Sequence, residues 1–164
     1  MFQMLSRLID RLCRYANAVA LISIVAMTLL INIEVFARGL FGFSTLVSEE
    51  WPSYMLVYII FFGLASTFKE NAFIQVEILI NRLNKRRQEL LKSLCILLAI
   101  VFIALFDYQL TTFVLSSYLR KLRSISFSET PLFIPQIAMP IGLTLLGLQL
   151  IKEGVRSFLS LKRQ

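Results

Sequence analysis

The chain alternates long uncharged runs with short charged segments. Tyr15 to Ile33 and Trp51 to Phe68 carry no charge, Ser93 to Leu119 is broken only by Asp107, and Pro131 to Ile151 is again uncharged. About 20 apolar residues at 1.5 Å each cross a hydrocarbon core of roughly 30 Å. The pattern therefore predicts four transmembrane helices, at about 15–37, 49–68, 89–115 and 131–151.

Two further stretches are amphipathic rather than uniformly apolar. In residues 2–14, Leu5, Leu8, Ile9 and Leu12 share one face and Arg7, Asp10, Arg11 and Arg14 lie opposite. That predicts a helix lying on the membrane before the chain turns into the first span. In residues 70–88, Phe73, Val76, Leu79, Ile80 and Leu83 recur at helical spacing, with Gln75, Glu77, Asn81, Arg82 and Lys85 on the other side. This reads as an interfacial helix between the second and third spans. Thr130 followed by Pro131 predicts the start of the fourth span, as an N-cap and a proline at the first helical position. Pro140, inside that span, predicts a kink.

Composition agrees. Apolar residues make up 57% of the chain and charged residues 16%, against about a quarter charged in a soluble domain. The fold class expected is an all-α integral membrane protein, one membrane domain over residues 1–164 with no room for a further soluble domain. The N-terminus has the basic-then-apolar look of a signal peptide. Its apolar part is too long and ends without a small-residue cleavage site, so a retained first helix is expected.

The net charge of +7 comes from 17 Lys and Arg against 10 Asp and Glu. No nucleic-acid-binding motif accompanies it, and the basic residues flank the apolar runs, where they set topology and meet anionic lipid. The 2–14, 69–92 and C-terminal segments hold 13 of the 17, and the other two loops hold 4. The positive-inside rule then puts both termini and the middle segment in the cytoplasm, and Glu49 and Glu50 on the outer face. There is no histidine, which excludes His-ligated haem, His-bearing zinc and a Ser-His-Asp triad. No metal cluster, nucleotide loop or nucleophile motif is present, so neither cofactor nor enzymatic activity is expected. Cys13 and Cys95 read as reduced, buried, small hydrophobes.

Few residues are left to carry chemistry. Glu49 and Glu50 open the second span, where Ser48 could cap the helix and acids complement the positive end of its dipole; an acidic patch that docks a partner is the alternative. Glu34 precedes Arg38 by one turn, the spacing of a local ion pair; the other reading is a coupling carboxylate. Asp107 falls near the outer boundary of the third span by counting from Glu89, facing a partner or reaching water. Trp51, Tyr54 and Tyr58 suit an interfacial aromatic belt. Ala16, Ala18, Ala20, Gly63, Ala65, Gly142 and Gly147 are candidates for close helix packing.

The stretch NIEVFARGLFGFSTLVSEEWPSYMLVYIIFFGLASTFKENAFIQVEILINRL resembles the small membrane subunit of tripartite ATP-independent periplasmic (TRAP) transporters, the DctQ-like family. Arg38, Gly42, Glu49, Glu50, Gly63 and Val76 match the family pattern in order. Val47 stands where its Trp is usual, Phe73 where its His is usual, and Glu77 replaces its Asp. The resemblance implies a scaffold subunit paired with a large multi-helix membrane subunit. That partner carries the substrate and sodium sites and moves as an elevator. A periplasmic binding protein delivers an organic acid such as a dicarboxylate or sialic acid. It also implies residence in the bacterial inner membrane, contact with its lipids, and a place for Glu49, Glu50 and Arg38 in a polar cluster at the periplasmic edge. The rival reading is an autonomous four-helix cation or drug exporter with Glu34 as its coupling carboxylate.

Overall fold

A computed structural model describes residues 2–44, 50–69, 85–125 and 129–161. Helix α1 is Phe2–Phe36, followed by a π-turn at Ala37–Phe41; α2 is Trp51–Lys69, α3 Lys85–Leu119, α4 Phe133–Gln136 and α5 Ala138–Leu161. Among the described residues the only extended pairing is an isolated bridge between Arg123 and Pro131. Four segments are long and apolar enough to cross a membrane: Ser6–Phe41, Trp51–Phe68, Leu94–Leu119 and Phe133–Val155. The protein is an all-α, multi-pass membrane protein.

The first helix departs from the sequence expectation. α1 runs unbroken for 35 residues, about 52 Å at 1.5 Å per residue, so residues 2–14 do not form a separate helix that turns into the span. Their register explains this. Ile9, Cys13, Ala16, Ala20 and Ser23 are all buried and follow one another at intervals of three or four, the spacing of a single helix face. Small side chains along that face let another backbone come close. Ala18, off the stripe, is exposed. The π-turn ends at Gly42, whose φ of +70° is left-handed and suits a residue without a Cβ.

α1 packs on α2, and α5 lies between α2 and α3. Ile9, Cys13 and Ala16 of α1, Ala65 of α2, and Leu143, Leu145, Leu146 and Leu150 of α5 form one core cluster. The third span packs on the edge of this cluster through Ala99, Ile100, Ile103 and Leu110, which are only partly buried, and none of the residues in its most apolar window is fully buried by the chain itself. Cys95, expected to be buried, is exposed on this helix. α3 begins at Lys85, so residues 85–88 are continuous with the helix of the third span. Residues 70–84 of the expected interfacial helix lie outside the described residues.

The fourth span starts later than expected and is broken. Pro131 pairs with Arg123, and the Thr130 carbonyl accepts the Ser124 N–H at 2.9 Å. Thr130 and Pro131 thus serve the α3–α4 connection, and the first helical residue is Phe133. The helix is interrupted at Ile137. Pro140 lacks an N–H, and its ring crowds the carbonyl four residues back, at Gln136. Three residues before the proline, the chain relaxes its helical pattern.

Candidate functional site

Where α1 ends and α2 begins, polar side chains gather. Arg38 Nε donates to Glu34 Oε1 at 2.5 Å, across one turn. Ser44 Oγ donates to the same oxygen at 2.7 Å, and Arg38 Nη2 donates to Ser44 Oγ at 3.0 Å. Glu34 is buried, at 5% exposure, although it stands among lipid-length apolar residues. The triangle is what makes that burial tolerable, because a buried charge must be both paired and hydrogen-bonded.

Glu50 is also buried. It precedes the first residue of α2, and its carbonyl accepts the N–H groups of Ser53 and Tyr54 at 3.1 and 3.4 Å. It is therefore the N-cap of α2 rather than a first-turn acid. Its carboxylate accepts the hydroxyl of Tyr54, one turn on. Ser124 and Thr130, from the α3–α4 connection, come within hydrogen-bonding reach of the same hydroxyl. Tyr54 thus ties the start of α2 to the far loop. Glu49 and its neighbour Ser48 lie outside the described residues, as does Glu77. Trp51 is partly exposed at this end, and Tyr58 stacks on Phe62 with ring centroids 5.8 Å apart.

Asp107 is not near a boundary. It stands thirteen residues after Leu94 and twelve before Leu119, the midpoint of the third span. Counting from Glu89 misplaced it because the apolar span begins later, at Leu94, and runs past the expected end to Leu119. Asp107 Oδ2 accepts the hydroxyl of Thr144 at 3.0 Å, from the midpoint of the fourth span. Its other oxygen is buried and has no hydrogen-bond partner among the described residues.

The opposite end carries a cluster that the sequence reading missed. Lys152 Nζ donates to Asp10 Oδ1 at 2.6 Å, and Gln149 Nε2 donates to Asp10 Oδ1 at 3.3 Å and Cys13 Sγ at 3.2 Å. This fastens the start of α1 to the end of α5. The available signals were Gln149, a polar residue inside an apolar run, and Asp10, the one acid among three arginines. Deeper in the bundle, Ser66 Oγ donates to Asn17 Oδ1 at 3.0 Å and links α2 to α1.

Gly63, marked for close packing, faces open space, and its carbonyl accepts the hydroxyls of Ser66 and Thr67. Among the described residues no three Asp, Glu or Cys side chains converge as a metal site. The polar groups sit at the two ends and at one midspan pair. Several of them link two helices, and among the described residues they form no continuous polar path across the bundle.

Residues 27–160 match the DctQ component of tripartite ATP-independent periplasmic transporters. The chain belongs to the DctQ family. It is also 23% identical, over 139 residues, to a protein of Haemophilus influenzae described as a TRAP transporter small permease protein; the similar region covers 83% of this chain and 81% of that protein. The DctQ family is a family of transporter components rather than of enzymes, and the chain is the small subunit of a TRAP transporter. The match takes in Glu34, Arg38, Glu50, Asp107 and Thr144 but leaves out Asp10 and Cys13, so half of the α1–α5 fastening lies beyond the matched region.

Proposed function

We propose that this chain is the scaffold of a sodium-coupled TRAP transporter for an organic acid, such as a dicarboxylate or sialic acid, in the bacterial inner membrane. It embeds a large membrane subunit that holds the substrate and ion sites. The observation that carries this reading is the family match over residues 27–160. The chain's own chemistry supports it, because the polar groups among the described residues form local pairs and links between helices rather than a route for a solute.

The third span supports the scaffold role. One face of it packs on α5, while Leu97, Leu98, Val101, Phe102 and Leu105 are left exposed by the chain, and a partner's apolar helices can cover them as well as lipid does. The distribution of Lys and Arg, 13 against 4, supports cytoplasmic termini. The end with Glu34, Arg38, Glu50 and Tyr54 then faces the periplasm, where a binding protein docks transiently. The exporter alternative depended on Glu34 as a coupling carboxylate. A carboxylate at the last turn of α1, already held by Arg38 and Ser44, suits that task poorly.

The reading is tested by reconstituting the chain in proteoliposomes with and without the large subunit and the binding protein. Uptake of a labelled organic acid driven by an inward sodium gradient is expected only with all three. Uptake or cation efflux by the chain alone would refute the scaffold role.

A further inference from the structure

The C-terminus of α3 is closed by a pair of backbone bonds that suit glycine, and a lysine stands there instead. Leu122 N–H donates to the Ser117 carbonyl at 3.0 Å, and Lys121 N–H to the Tyr118 carbonyl at 3.1 Å. This closure places one residue in the left-handed region, usually a glycine. Here it is Lys121, with φ of +51°. A side chain in that conformation is strained, and such strain persists where something else holds the residue in place.

Lys121 lines a cavity of about 330 Å³. Tyr118 and Phe133 form one wall, meeting edge to face with centroids 5.2 Å apart. Leu119, Leu122 and Pro131 supply aliphatic surface, and Arg123 is the second cation; no acid among the described residues lines the cavity. Its frame is braced by Leu132 N–H donating to the Leu122 carbonyl at 3.1 Å, beside the bridge between Arg123 and Pro131. Lys121 makes no ion pair among the described residues. Arg123 reaches Glu129 only at 3.6 Å, with both side chains mostly exposed, the kind of pair that contributes little. The apolar wall opens onto the last turn of the span, where Tyr118 and Leu119 are exposed.

We propose that this cavity binds the phosphate of an anionic head group between Lys121 and Arg123. The uncovered apolar wall beside it favours a phospholipid over a free phosphate, since an acyl chain can continue along Tyr118 and Leu119 while the phosphate meets the cations. Lysine at a glycine position then has a reason: it places an ammonium at the cavity that glycine could not.

The test is native mass spectrometry of the full chain in mild detergent, titrated with phosphatidylglycerol or phosphatidylcholine, with inorganic phosphate added as competitor. Phosphatidylglycerol is expected to bind more tightly. Lys121→Gly and Arg123→Gln are each expected to weaken it about fivefold, the effect of one cation near an anionic lipid. Arg120→Gln, which removes the same charge beside the cavity, is expected to leave it unchanged. Lys121→Gly relieves the strained φ, so its thermal midpoint is expected to hold or rise, separating lost binding from lost folding. Competition by millimolar phosphate would identify a free phosphate as the ligand, and its failure a lipid head group. Equal phosphatidylglycerol binding by the wild type and the Lys121→Gly/Arg123→Gln double variant would overturn the proposal, as would an equal loss in Arg120→Gln.

Discussion

Gly142 of α5 lies directly against the backbone of Phe61 on α2. A Cβ built on this glycine would fall 2.6 Å from the Phe61 carbonyl carbon and 2.7 Å from its Cβ. The approach is backbone to side-chain root, so no flexible group can move aside. α5 is the helix on which both α2 and α3 pack, and this contact fixes how near α2 can come.

Gly142→Ala is therefore expected to destabilise the bundle by about 1–3 kcal/mol, the range for overpacking a filled interior. Gly63→Ala is the control. It meets nothing within 4 Å and removes a helix-interior glycine, so the isolated chain is expected to be unchanged or slightly more stable. Thermal unfolding of both variants in the same detergent checks the pair. A Gly142→Ala chain as stable as the wild type would show that α2 and α5 are not held at this distance.

The Asp107–Thr144 bond joins the midpoints of the third and fourth spans. Thr144→Val removes the hydroxyl that reaches Asp107 and leaves a half-buried carboxyl, one of whose oxygens already lacks a partner among the described residues, further unsatisfied. A loss of about 1–3 kcal/mol is expected. Asp107→Asn keeps the shape and removes an ionisable group from the span centre, where a charge is costly, so it is expected to be neutral or stabilising. The reverse order, with Asn harmful and Val harmless, would mean that the carboxyl acts through its charge rather than through Thr144.

At the other polar cluster the order of variants is the readout. Arg38→Ala strips the charge partner from buried Glu34, which costs more than losing the pair together. The Arg38→Ala/Glu34→Ala double variant is accordingly expected to be more stable than Arg38→Ala alone. A double variant less stable than either single one would show that the two residues act separately.

The four spans were legible because lipid demands long apolar runs, and little else produces them. The facing of each span was not. When lipid is as oily as the interior, inward and outward positions are both apolar, so Gly63 and Gly142 looked alike although only Gly142 meets another backbone. The continuity of α1 was hidden for a related reason. An amphipathic pattern in residues 2–14 fits a helix lying on a membrane as well as one whose face of Ile9, Cys13 and Ala16 is covered by neighbouring helices. The Glu34–Arg38 pair was legible because its geometry is local to one helix turn. The Asp107–Thr144 and Asp10–Lys152 links were not, because each joins residues far apart in sequence. Pro140 marked the break in the fourth span, but the role of Thr130 and Pro131 in the preceding loop depends on pairing with Ser124 and Arg123, which no local rule supplies.

The central claim, that this chain is a scaffold for a larger transporting subunit, is tested most directly by isolating it from its native membranes in mild detergent and identifying by mass spectrometry what accompanies it. The account predicts one large multi-span protein in near-equal amount. Recovery of the chain only with further copies of itself would contradict it.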